Sequence, residues 1–181
     1  MRRLSNCYQA PELKIDRLTL RPHRWSDFEL MHQIWTDPAV GGQITSVIPS
    51  RTDSWKRLLQ YAGLWPLLGF GYWAVEVQQS GQFIGDVGLA QFHRGVSEEF
   101  DALPEAGWIL SRSHHNKGFA TEAMAAVLSW AEEHCQIKKT VALIRSDNLV
   151  SLQLAGKLGY GAFETGSQTQ GFFQLVRYSK T

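Results

Sequence analysis

Residues 105–123, EAGWILSRSHHNKGFATEA, constrain the chain more than any other stretch. An apolar run, Trp108 to Leu110, leads into a polar and partly basic turn, Ser111 to Lys117. Gly118 then starts an alanine-rich segment that reaches about Cys135. That order reads as strand, turn and helix. The start of a helix leaves backbone N–H groups without intrahelical acceptors and carries the positive end of the helix dipole. Behind a basic, glycine-containing turn, such a start suits a phosphate or pyrophosphate. The stretch therefore predicts a grip on a diphosphate-bearing cofactor. The rest of the chain then builds a sheet around it or brings in a second substrate.

The flanking sequence supplies the sheet. Residues 1–14 read as a loosely held arm, and residues 15–181 as one domain. Residues 15–21 alternate into a first strand that ends at Pro22. Ser26 and Glu29 fit a capping box before a helix with Phe28, Met31, Ile34 and Trp35 at helical spacing. A second helix starts near Ser50 to Asp53 and stops at Pro66 to Gly69. These two helices are placed to wall a substrate cleft, and Trp35, Trp55, Tyr61 and Trp65 are its candidate lining, although such helix aromatics are more often core. Residues 72–77 and 83–92 form a hairpin whose return strand carries Gly85 and Gly88, which predict a bulge or a close backbone approach. An acidic loop, 94–104, with Glu98, Glu99 and Asp101, precedes the central strand. After the helix to Cys135 come a buried strand at 140–144, a helix from Asn148 to Leu158, and strands at 161–165 and 172–178. Hairpins plus one β-α-β-α section give an α+β fold with a mixed sheet.

Several function classes are excluded or disfavoured. A formal net charge of +1 argues against general nucleic-acid binding. No apolar run is long enough to span a membrane, and no apolar segment follows the basic N-terminal residues as in a signal peptide. Cys7 and Cys135 lie far apart and read as free thiols of a reducing, cytoplasmic compartment. There is no nucleotide-triphosphate loop of the G-x-x-x-x-G-K-[ST] type, no nucleophile elbow and no zinc spacing, so no metal is expected. Gly69 to Ala74 matches G-x-G-x-x-A but precedes a strand, the wrong context for a dinucleotide.

What remains is His115-x-x-Gly118-x-Ala120 at the helix start. This segment resembles the Q/R-x-x-G-x-G/A loop of the GNAT acyltransferase superfamily. The further motifs LTLRP at 18–22, WTDP at 35–38, FIGDVGL at 83–89, EAGW at 105–108, NLVS at 148–151 and KLGY at 157–160 occur in the order seen in the subgroup that includes ribosomal-protein N-terminal acetyltransferases. The resemblance covers roughly residues 15–178. It implies a mostly antiparallel sheet of about seven strands and about four helices, splayed between strands 4 and 5. It also implies acetyl-CoA as co-substrate and a primary amine as acceptor: a protein N-terminus, a small amine or an aminoglycoside. Neither nucleic acid nor membrane is implied as a partner, and the chain is expected as a monomer or homodimer.

By the same resemblance, His115, Asn116, Lys117, Gly118, Phe119, Ala120 and Thr121 hold the pyrophosphate, mainly through backbone N–H groups. Trp108, Ile109 and Leu110 pair their main chain with the pantetheine arm. Asn148 lies near the cofactor, or caps its helix, or does both. Ser151, one turn on, is a candidate at the thioester. Ala155 stands where many members carry a tyrosine acid, and Tyr160 fills a packing position. A neutral amine would attack the thioester carbonyl directly. Glu105 is the first candidate for general base and Asp86 the second. An N–H near Trp108 or Ile109 would stabilise the developing oxyanion. The competing readings are a non-catalytic acyl-CoA-binding module and, from Arg112, Lys117, Arg145 and Lys157, an RNA-associated module.

Overall fold

The computed structural model describes residues 8–163, 168–169 and 171–179. The described strands are β1 (Leu13–Lys14), β2 (Leu18–Arg21), β3 (Tyr72–Val77), β4 (Gln82–Ala90), β5 (Glu105–Leu110), β6 (Lys139–Arg145), β7 (Gly161–Ala162), β8 (Gln168–Thr169) and β9 (Phe172–Tyr178). They join one sheet in the order β1-β2-β3-β4-β5-β6-β9-β7, with β8 on β9. The expected strands are all present, and two two-residue pieces, β1 and β8, are added. The helices are α1 (Phe28–Thr36), α2 (Arg51–Leu68), a short α3 (Glu98–Asp101), α4 (Phe119–Cys135) and α5 (Leu149–Lys157). Every neighbouring pair is antiparallel except β5 and β6, which run parallel on either side of α4.

Alternation along the strands sorts their side chains onto two faces. Trp73 and Val75 of β3, with Leu18, Leu20, Ile84, Val87 and Ala106, pack with the apolar face of α4. Tyr72 and Ala74, with Phe83, Ala90 and Ile109, pack with Met31, Ile34 and Trp35 of α1 and Leu58, Tyr61 and Leu64 of α2. The bulge expected on β4 is real: the β3–β4 register shifts between Val75 and Glu76, opposite a Gly85 with φ of 148°. A Cβ at Gly85 would stand 2.1 Å from the Ile109 carbonyl oxygen, so glycine lets β4 approach β5 there.

Three local expectations are corrected. The Ser26–Glu29 capping box does not form: the chain makes a 3-10 turn at Trp25–Asp27, and the Arg24 N–H donates to Asp27 at 2.7 Å. Buried Arg21 holds Asp27 through two 2.8 Å hydrogen bonds, while Glu29 pairs with Arg51 at the start of α2. The N-terminal arm is not loose over residues 10–14. Ala10 is buried, the Pro11 carbonyl accepts from Trp73 Nε1 at 2.8 Å, and β1 pairs with β2. Residues 1–7, with Cys7, and the 164–165 end of the expected strand lie outside the described residues. The acidic loop contains the short α3, in which Asp101 accepts from the Gly95 N–H at 2.6 Å and Glu99 pairs with Lys139. The second helix starts at Ser50 to Asp53 as expected, the structure adds a capping box between those two residues, and Gly69 (φ 77°) ends the helix.

Among the described residues, no helix is long and apolar enough to cross a membrane.

Candidate active site

The site begins where β5 and β6 part. Their pairing is confined to Glu105 opposite Val141, supported by the Val141 N–H donating to the Pro104 carbonyl at 2.9 Å. On its other edge, β5 pairs with β4 along its whole length. From Ala106 onward the β6-facing edge of β5 has backbone groups without a strand partner, as buried backbone seldom does unless another group supplies the bonds. Trp108 and Ile109 on one side, and Asp147, Asn148 and Ser151 on the other, line a groove that opens into a cavity at each end.

The first cavity, of about 500 Å³, lies over the start of α4. His114, His115, Asn116, Gly118, Phe119, Ala120, Thr121 and Leu110 line it, facing Leu149, Val150 and Lys157 of α5. Asn116 (φ 59°) and Gly118 (φ 79°) are left-handed, and Gly118 caps α4 without any side-chain hydrogen bond. The leading N–H groups of α4 are therefore presented to the cavity without a capping acceptor. This arrangement fits an anionic diphosphate, and the free β5 edge beside it fits an extended amide-bearing arm. His115 is turned differently from expectation: its Nε2 donates to the Leu110 carbonyl at 2.8 Å, so the side chain fixes the turn to β5. Phe119 is buried beneath Arg17, whose guanidinium lies 4.6 Å from the ring centroid, so only its main chain can face a ligand. Lys117 is exposed and off the lining; its carbonyl accepts from Arg17 at 2.9 Å.

Asn148 and Ser151 sit at the junction of the two cavities. Asn148 Oδ1 caps α5 by accepting from the Ser151 N–H at 3.1 Å, and its Nδ2 donates to the Gln43 carbonyl at 3.1 Å. It thereby ties α5 to the 41–46 loop over the groove. Trp108 Nε1 donates to Ser151 Oγ at 3.3 Å, which leaves the serine proton free to be given elsewhere. Tyr160 is buried, its hydroxyl hydrogen-bonded to Thr140 at 2.8 Å, and burial pushes its pKa up to about 12. It packs, as expected, and lies off the lining of both cavities.

The second cavity, of about 790 Å³, lies on the α1/α2 side. Glu105 lines it, its side chain only 9% exposed. Arg94 Nε and Nη2 donate to its two carboxylate oxygens at 2.7 and 2.9 Å. Burial pushes the Glu105 carboxyl above its ordinary value, with Arg94 acting in the opposite sense. Trp35 and Tyr61 line this cavity, joined by Tyr72, Phe92 and Arg57. Tyr61 and Tyr72 stack at 4.1 Å, and burial raises both phenols. Trp55 instead packs edge-on against Phe28, and Trp65 against Trp73 and Trp130 in the core. Asp86 does not reach the cleft: it is fully buried, with Oδ1 2.8 Å from His23 Nε2. Glu98, Glu99 and Asp101 are likewise absent from the lining.

The sequence reading missed Arg94, Arg57 and Tyr72. Arg94 lies eleven residues before Glu105, with the short α3 between them, and carries no motif. Tyr72 was legible only as a strand residue, though Gly107 marks it: a Cβ there would stand 2.0 Å from the Tyr72 hydroxyl oxygen.

Comparison with known proteins places this geometry. The acetyltransferase (GNAT) domain family matches residues 17–161. Uncharacterized N-acetyltransferase p20 of Bacillus licheniformis is 24% identical over 149 residues, 82% of this chain and 81% of that one. An acetyltransferase from Agrobacterium tumefaciens superposes with a TM-score of 0.80 at 23% identity, covering 95% of each chain. Spermidine N-acetyltransferase of Vibrio cholerae, solved with CoA and spermine, superposes with a TM-score of 0.68 at 17% identity, covering 90% of this chain and 96% of that one.

Proposed function

The chain belongs to the acetyltransferase (GNAT) family, and from that premise we propose that it moves an acetyl group from acetyl-CoA to a primary amine by direct attack. One observation carries the reading. The gap between β5 and β6 connects a cavity at the α4 N-terminus with a second cavity that holds a buried carboxylate. A thioester-bearing arm laid in that gap would bring its reactive end to Trp108 and Ser151, within the same cleft as Glu105.

Each residue then has a role. The N–H groups from Asn116 to Thr121 hold the pyrophosphate, and the main chain of Trp108 to Leu110 orients the pantetheine arm. A backbone N–H near Trp108 or Ile109 donates to the carbonyl oxygen as charge develops on it. Glu105 accepts a proton from the amine, directly or through one water, and its raised pKa brings it nearer the operating pH of a general base. The departing thiolate takes a proton from a water, directly or through Ser151 Oγ, whose own proton is uncommitted and which is reprotonated by that water in the same step. Asp86, paired with His23 away from the lining, acts at most on the packing behind Tyr61.

The motif set supports a place near the ribosomal-protein N-terminal acetyltransferases; we further take the chain as a single cytoplasmic domain over residues 15–181, working as a monomer or homodimer. The resemblance offers a protein N-terminus, a small amine or an aminoglycoside as acceptor classes. Thiol release from acetyl-CoA, followed across a panel of such amines, tests the proposal. Turnover on at least one amine that falls in Glu105→Gln supports it. Tight acetyl-CoA binding without turnover on any amine would replace it with a non-catalytic acyl-CoA-binding module.

A further inference from the structure

We infer that the acceptor is a small amine that also carries a carboxylate, and that Arg57 recognises that carboxylate. The inference rests on the acetyl-transfer reading of the same cleft and narrows its acceptor.

It follows from the balance of charge in the cavity. Five charged residues among those described line it: Arg57, Arg94, Glu105, Arg145 and Asp147. Arg94 and Glu105 satisfy each other through two hydrogen bonds. Arg145 and Asp147 do the same, at 2.9 and 2.6 Å. Arg57 is left over: no carboxylate among the described residues comes within ion-pair distance of it. Among the described residues the cleft therefore carries one uncompensated positive charge.

Arg57 is also held in place. Its guanidinium carbon lies 3.5 Å from the centroid of the Trp35 ring, closer than any other cation stacked on a ring among the described residues. Its Nε is buried without an acceptor, as is Trp35 Nε1 beside it. Both orphan groups are donors, so the local deficit is of acceptors. A guanidinium whose face is taken by an indole presents its donors along its edge, and that fork matches the two oxygens of a carboxylate. The Tyr61 hydroxyl next to it supplies one neutral partner and no charge.

The same cleft provides for the other end of such a molecule. Glu105 is the buried carboxylate that would receive the amine's proton. Tyr72, stacked on Tyr61, lines the cavity together with Glu105 and Arg57. The walls between are aromatic: Trp35, Tyr61, Tyr72 and Phe92. A zwitterionic acceptor meets the uncompensated guanidinium of Arg57 at its carboxylate and the proton-accepting Glu105 at its amine. A polyamine or aminoglycoside would instead bring several positive charges against Arg57.

The test uses matched pairs: each of a set of L-amino acids and ω-amino acids against its own carboxamide. Thiol release from acetyl-CoA is measured with the wild-type protein, Arg57→Gln and Arg57→Lys. Binding of the same compounds in the presence of CoA is followed by calorimetry. For at least one pair the acid is expected to exceed the amide by about tenfold or more in kcat/KM, chiefly through KM. Arg57→Gln should bring that ratio to within about threefold of unity and leave the KM for acetyl-CoA unmoved. Arg57→Lys should restore part of it, because it keeps the charge and loses the fork. Acids and amides used equally well throughout, or a preference that survives Arg57→Gln, would overturn the inference. If nothing is turned over, calorimetry decides. An acid preference in binding that Arg57→Gln abolishes upholds the carboxylate site while sinking the acetyl-transfer reading, and the lack of any such preference sinks both.

Discussion

Gly118 is where the pyrophosphate reading is most exposed to test. The residue has φ of 79° and precedes the first turn of α4, and a Cβ added to it would meet only Arg17 Nη2, at 3.4 Å. Any side chain there carries the strain of a left-handed backbone, about 1 kcal/mol and at most about 3. For a chain of this size that lowers Tm by roughly 2–4 °C per kcal/mol. Glutamate adds a carboxylate near the helix N-terminus, which the dipole tolerates well, so the fold should survive. It also sets a negative charge roughly 4 Å from where a phosphate would sit. At an effective dielectric near 20 that repulsion is about 4 kcal/mol before screening, and about half of that after it. Gly118→Glu should therefore weaken acetyl-CoA binding by roughly thirtyfold to several hundredfold, while Gly118→Ala, which carries strain without charge, stays within a fewfold of wild type. Calorimetric titration with acetyl-CoA, alongside thermal melts, reads both quantities. A folded Gly118→Glu protein that binds within about threefold of wild type would show that the α4 N-terminus does not hold the pyrophosphate.

Further outcomes follow from the same geometry. Asn148→Ala removes the α5 cap and the tie to Gln43, and should cost about 0.5–2 kcal/mol in denaturant melts and raise the KM for acetyl-CoA; a rise in neither would mean the cap is dispensable. Gly107→Ala puts a methyl 2.0 Å from the Tyr72 hydroxyl oxygen and should cost about 1–3 kcal/mol; Tyr72→Phe, by removing that oxygen, should recover part of the loss, and independent additive effects would refute the contact. Burial holds the Glu105 carboxyl above 4.5, so the folded chain binds this proton more tightly than the unfolded one. Its contribution to stability is then full below pH 4.5 and is lost as pH rises through the folded pKa, a slope that should flatten in Glu105→Gln melts. Arg94→Gln removes the group that opposes burial and should move the acid limb of kcat/KM to higher pH; a limb that moves down would contradict this electrostatic order.

Local signals carried most of the fold. The start of α2 near Ser50 to Asp53, its stop by Gly69 and the hairpin of β3 and β4 rest on short-range patterns, and each forms. Ser26 and Glu29 show where such patterns fail. The box lost to longer-range charge pairing, because Arg21 takes Asp27 and Arg51, more than twenty residues on, takes Glu29. The groove was legible for a related reason. The turn from Ser111 to Gly118 and the helix after it are contiguous in sequence, and their cavity is lined largely by contiguous residues. The second cavity draws on α1, α2, the loop after β4, β5 and the loop after β6, so its charge pattern depends on contacts that no local motif encodes. Asp86 illustrates the limit. It alternates onto the same side as Phe83 and Tyr72, but its depth beneath Tyr61 and its pairing with His23, 63 residues away, appear only in three dimensions.

The most direct test of the account is the pH profile of kcat/KM in thiol release, wild type against Glu105→Gln. The wild type should show an acid limb above 4.5, and the variant should lose about a hundredfold or more in rate together with that limb. A variant that keeps its rate within about threefold, with the acid limb unmoved, would show that Glu105 is not the base and that the buried pair with Arg94 serves only the fold.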